Sequence, residues 1–255
     1  MSVDLPFIAF VLGAGFIGGL VRGYSGFGFA MSAVPLLSIG ISPALAVPAV
    51  LLHELAIGLC SLRAERAVAR SPVLRILGLG TLIGTPLGLT LLAAMPEQPM
   101  RIAIALTLLV SVAAIWGAGG HRLGLGRGVL GAAGVVSGLL NGATAMSGPP
   151  AVLVLLASPL AAAEVRGVLI YFIALSAALA VVLSLATGLQ NAETLTIAAL
   201  MTPGVVLGAL SGVAAFRFLP HAHYRTIALL VLLAIALLVL LAIALVSLAG
   251  ALDPR

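Results

Sequence analysis

"GGLVRGYSGFGF", residues 18–29, sets glycines and a lone arginine inside a chain otherwise built largely of Leu, Ala, Val and Ile. An arginine near the centre of a bilayer costs about 2.5–3.5 kcal/mol even on the milder scales. Glycines there weaken a helix that must satisfy its own backbone polar groups. The stretch reads as a break in a membrane helix. Where the chain goes after the break decides the fold.

The surrounding composition agrees. Of 255 residues, 62% are hydrophobic and 7% charged, whereas soluble domains carry about 25% charged residues. This is the composition of an all-α polytopic membrane protein, with no length left for a separate soluble domain. The net charge of +5 comes from arginine alone. Those arginines stand singly among turns, which suits membrane orientation and excludes nucleic acid as the expected partner. The one cysteine, Cys60, rules out an intrachain disulfide and reads as a small apolar helix residue. "MSVDLPF" lacks a basic start and a small-residue cleavage site, so no removed signal peptide is expected. His121, His221 and His223 sit in loops beside arginines and read as interfacial. No metal site and no cofactor is expected.

Long apolar runs lie near 5–21, 28–41, 43–62, 73–95, 101–118, 128–142, 149–160, 165–187, 194–216 and 226–250. Most can cross about 30 Å of hydrocarbon at about 1.5 Å per residue; 28–41 and 149–160 are too short to do so comfortably. The chain also repeats itself. "GAGFIGGLVRGYSG" at 13–26 aligns with "AAGVVSGLLNGATA" at 132–145, pairing Gly15 with Gly134, Gly19 with Gly138 and Gly23 with Gly142. "GTLIGTPLG" at 80–88 aligns with "GVVLGALSG" at 204–212, and the same offset pairs Pro96 with Pro220 and Arg101 with Arg225. Three alignments in the same order divide the chain into two halves, 1–120 and 125–255.

Arginine placement orients the halves. If each glycine-rich first segment turns back as a hairpin, Arg63, Arg66, Arg70, Arg75, Arg122, Arg127, Arg166, Arg217 and Arg225 share one side, and Arg101 and Arg255 the other. If both segments cross, the split is more even, so the positive-inside rule favours hairpins. Each half then makes three full crossings, an odd number, and the second half is inverted. About eight membrane segments in two inverted-repeat halves are expected, the first of each broken or hairpin-like.

Broken helices in inverted repeats place substrate near the midplane. The breaks here are "RGYSGFG" at 22–28 and "NGATAMSGP" at 141–149. Each precedes a short segment whose helical N-terminus offers free N–H groups and partial positive charge, and Pro149 and Pro150 suit a first turn. Gly26, Gly28 and Gly148 allow close approach, while Ser25, Thr144 and Ser147 add hydroxyls. Arg22 adds a charged planar fork for an oxyanion, and its repeat partner Asn141 a neutral donor. These residues make a candidate site for a small anion. Each also has a plainer account. Gly80, Gly84, Gly88, Gly204, Gly208 and Gly212 read as close helix packing, Arg22 can form a structural ion pair with Glu54, and Tyr24, Phe27 and Phe29 can simply pack. His53 and Glu54, midway along 43–62, are candidates for proton coupling or for an interior pair holding helices together.

At these residues the sequence resembles the TauE/SafE sulfite exporter family. "GFIGGLVRGYSGFGFAMSAVPLL" and "GVVSGLLNGATAMSGPPAVLVLL" are similar to its paired glycine-rich motifs, and the likeness covers essentially the whole chain. The resemblance implies a multi-pass permease of the cell inner membrane for sulfite, sulfonates or related organic anions. A secondary anion transporter is the first expectation, with its substrate and the lipid bilayer as partners and a homo-oligomer compatible with the sequence. The alternatives are an intramembrane enzyme using His53 and Glu54, or a passive anion channel.

Overall fold

A computed structural model describes residues 4–62, 71–117, 126–218 and 224–252. Arg63, Arg66, Arg70, His121, Arg122, His221, His223 and Arg255 lie outside the described residues. The described chain forms α1 (Leu5–Ser25), α2 (Phe29–Gly40), α3 (Pro43–Leu62), α4 (Pro72–Ala94), α5 (Glu97–Gly117), α6 (Arg127–Thr144), α7 (Gly148–Leu156), α8 (Ala162–Ala186), α9 (Ala192–Phe218) and α10 (Tyr224–Leu252). Six of these, α1, α3, α4, α5, α8 and α9, are long and apolar enough to cross a membrane. The protein is an all-helical, multi-pass membrane protein.

Local chemistry sets the ends of the broken helices. Asp4 caps α1 by accepting the Phe7 N–H at 3.1 Å. Gly26, with φ 78°, ends α1 by donating its N–H to the Arg22 carbonyl, and left-handed backbone of this kind favours glycine. At the equivalent end of α6, Ala145 takes φ 59° and donates to the Asn141 carbonyl. A side chain in that conformation costs roughly 1–2 kcal/mol. The second break is therefore strained where the first is not.

After its break the chain doubles back. Gly18 of α1 lies against Phe29 and Ala33 of α2, and Gly40 at the end of α2 lies against Phe10. The two helices are antiparallel, and α2 ends near the level at which α1 begins. Every residue of α2 from Phe29 to Ser38 is buried. A helix apolar on all faces belongs inside the protein, so twelve residues suffice for α2.

Two glycine faces carry the main packing. Gly15, Gly19 and Gly23 of α1 face Gly204, Gly208 and Gly212 of α9, while Gly80, Gly84 and Gly88 of α4 face Gly134, Gly138 and Gly142 of α6. An added Cβ at Gly84 would overlap the Val135 carbonyl, and one at Gly208 the Phe16 carbonyl. Close packing is thus the role of these glycines. Leu79, Leu82, Ile83 and Leu87 of α4, with Val206, Leu207 and Leu210 of α9, are exposed on the outer surface. Small residues inward and large ones toward lipid are what membrane packing requires, since lipid tails are as apolar as leucine.

Helix directions follow from these contacts. α1 runs parallel to α9 and α4 parallel to α6. α3 runs antiparallel to α8, with the Tyr171 hydroxyl donating to the Leu62 carbonyl and Gln190 Nε2 to the Pro48 carbonyl. The start of α1, the end of α2 and the starts of α3 and α9 meet at one end of the molecule, around a groove of about 490 Å³. Arg75, Arg127 and Arg166 begin helices at the opposite end; Arg101 lies in the second turn of α5, where α4 has carried the chain back.

Candidate functional site

Deep between the helices, the two breaks meet. A cavity of about 20 Å³ is lined by Arg22, Phe27, Gly28 and Ala30 from the first break and by Ala145 through Pro149 from the second. Glu54 of α3, Ile173 of α8 and Met31 of α2 complete it. Glu54 and Ile173 lie in the middle turns of their helices. About one water-sized group fits in such a volume, so the breaks are closed on each other in this conformation.

Arg22 is 9% exposed. Its guanidinium makes no hydrogen bond to the described residues, and it faces Glu54 electrostatically without closing a direct ion pair. Glu54 is 6% exposed. Its Oε1 accepts the Ala30 N–H at 3.1 Å, a first-turn amide of α2. The acceptor at the α2 N-terminus is therefore the protein's own carboxyl group, which uses an otherwise orphan donor. Glu54 Oε2 is buried without a hydrogen-bond partner among the described residues.

The other helix start is different. Ser147 precedes α7 with no side-chain capping bond, and a Cβ on Gly148 would meet nothing within 4 Å. Pro149 and Pro150 occupy the first turn, where their missing N–H groups cost nothing. Ser147 and Gly148 both line the cavity. Backbone there is open to close approach, beside the buried charge of Arg22.

The structure thus gathers Arg22, Gly28, Glu54, Ser147 and Gly148 around one space, and sets the other candidates elsewhere. Ser25 donates to the Val21 carbonyl at 2.7 Å, and Thr144 to the Leu140 carbonyl at 2.7 Å. Gly26 serves the turn itself. Asn141 Nδ2 donates at 2.7 Å to the Ser176 carbonyl of α8, tying the second break to its neighbour. His53 turns from the cavity: its Nδ1 meets the Ala49 carbonyl at 3.1 Å and its Nε2 the Thr202 hydroxyl of α9 at 3.2 Å. Of the aromatics, Phe27 lines the cavity, Phe29 packs on His53 and Tyr24 packs edge-on to Phe216.

Five lining residues were not singled out by the sequence reading: Ala30, Met31, Ala145, Met146 and Ile173. For Ile173 a signal was present. The offset that pairs Arg22 with Asn141, 141 − 22 = 119, also takes Glu54 to position 173. Under the repeat expected from the sequence, Glu54 would correspond to Ile173, which also lines the cavity, and Arg22 to Asn141, which bonds to Ser176 instead.

A family model described as sulfite exporter TauE/SafE matches residues 11–251, and the chain belongs to that family. No curated protein and no solved structure matched the chain.

Proposed function

We propose that this member of the sulfite exporter TauE/SafE family is a secondary transporter of small anions, sulfite, sulfonates or related organic anions, in the cell inner membrane. The observation that carries the reading is Arg22: a buried arginine whose guanidinium makes no hydrogen bond to the described residues, set beside the open start of α7. An oxyanion would take both the planar fork and the Gly148 N–H at the start of α7. Such charge is retained in a membrane interior where it has a ligand to hold.

The arrangement of helices supports alternating access. The α1–α2 hairpin starts from one end of the molecule, and α6, the corresponding helix, starts from the other. The two breaks reach the same closed cavity from opposite sides. Two inverted halves, each of one hairpin and three crossings, account for this and make eight membrane segments. Rocking the halves would expose the cavity to one side and then the other. Proton coupling is assigned to Glu54, which lines the cavity, in preference to His53, which bonds to α9.

Purified protein in liposomes, assayed with labelled sulfite, tests the reading. Saturable flux that is accelerated by sulfite on the opposite face is expected. Flux linear in concentration and without exchange would make the protein a channel, and no flux of any small oxyanion would sink the proposal.

A further inference from the structure

The cavity that gathers donors for an anion also holds an acceptor with nothing to accept. Glu54 Oε2 is buried and unpartnered among the described residues, while Oε1 is already committed to Ala30. Arg22 is the charged side chain set against it. α2 and α7 contribute no titratable residue, and the neighbouring His53 turns to Thr202. The described charged residues of α4, α5, α6, α8 and α9 lie in the terminal turns of their helices, and Tyr171 of α8 bonds to Leu62. Facing Glu54 from α8 across the cavity is Ile173, which offers neither donor nor charge.

An oxyanion drawn to Arg22 and the Gly148 N–H shares one small space with Glu54, which brings one of its oxygens toward Oε2. Two anionic oxygens in so small a space cannot both remain bare; one proton between them removes the repulsion and fills the empty acceptor. We infer that the ligand of this cavity is an oxyanion together with one proton, held in a hydrogen bond between a ligand oxygen and Glu54 Oε2. The inference rests on the anion-transport reading above. A hydrogen-bearing anion such as hydrogensulfite brings the proton itself. An anion with none, such as a simple sulfonate, binds as Glu54 takes one from water, and both leave together on release. The site therefore recognises oxyanions by whether a proton accompanies them, and coupling needs no separate proton path.

Methanesulfonate, which stays ionised across the working pH range, is the discriminating probe. Its binding to the purified full-length protein is measured by calorimetry in buffers of different ionisation enthalpy, over a range of pH, with sulfite in parallel. One proton should be taken up per methanesulfonate bound, and at alkaline pH its affinity should fall about tenfold per pH unit. Glu54→Gln should bind methanesulfonate with no proton uptake and no pH slope. Wild-type binding at alkaline pH without proton uptake overturns the inference, even if the variant fails to fold. So does an unchanged slope in Glu54→Gln, or sulfite binding with no methanesulfonate binding at acidic pH. If neither anion binds at any pH, the transport reading itself falls.

Discussion

Replacing Arg22 separates an anion clamp from a structural ion pair. Arg22 is 9% exposed, and its guanidinium makes no hydrogen bond to the described residues and closes no direct pair with Glu54, so its donors are at a ligand's disposal. Each charge-assisted hydrogen bond is worth about 1.5–3 kcal/mol, which is roughly 10- to 150-fold in affinity. Arg22→Gln should weaken sulfite binding by at least that factor. Arg22→Lys keeps the charge without the fork and should recover only part. A structural pair forecasts something else: breaking it would cost about 3–5 kcal/mol of stability. At roughly 2–4 °C per kcal/mol for domains approaching this size, melting would drop by about 6–20 °C. Adding Glu54→Gln would then restore it. Sulfite Kd by equilibrium binding and melting in detergent, on both single variants and the double, decide the matter. An Arg22→Gln protein that melts early, binds sulfite normally and recovers in the double mutant refutes the clamp.

Two glycines make a matched pair of tests. Gly84→Ala drives a Cβ into the backbone of α6 and should cost about 1–3 kcal/mol of stability, read as a lower melting temperature. Gly148→Ala meets open space, so melting should hold while sulfite affinity falls. Ala145→Gly relieves the left-handed alanine at the second break and should stabilise the protein by about 0.5–1 kcal/mol in thermal unfolding. Sidedness is read by thiol labelling of intact cells after Cys60→Ser. Pro96→Cys should react with an impermeant reagent and Gly126→Cys should not, since the arginine-rich end belongs inside.

Much of the fold was legible because membrane packing leaves coarse marks. The apolar runs, the glycine spacings and the two breaks correspond closely to helices, contact faces and turns, since glycine at a four-residue interval has few other uses in lipid. The partners of those faces were not legible. Nothing in "GTLIGTPLG" says that it meets α6 rather than the repeat-related stretch in α9. Of the candidate site, the sequence singled out Arg22, Glu54 and the start of α7, which the structure brings to one cavity. Ser25, Thr144 and Asn141 looked like ligands because their residue types suit anions, yet each satisfies a nearby carbonyl. A buried hydroxyl or amide has to bond somewhere, and composition cannot say whether the nearer acceptor wins. Glu54 as the cap of α2 joins positions 24 apart in sequence, a contact that depends on how the hairpin folds back.

The exchanged glycine faces also govern how the chain can be made. Gly19 and Ala209 touch although 190 positions separate them, so α1 leaves the ribosome long before the surface that will cover it exists. α4 waits in the same way for α6, though more briefly. Until α9 is inserted, the small-residue face of α1 has only lipid, or a helper protein, against it. Assembly must therefore finish late and all at once, because contacts so distant in sequence form last. A ribosome that stops before α9 would leave a product with its longest seam unsealed, a natural target for membrane proteases. Two separately translated halves, by contrast, would carry complementary seams and could find each other in the bilayer.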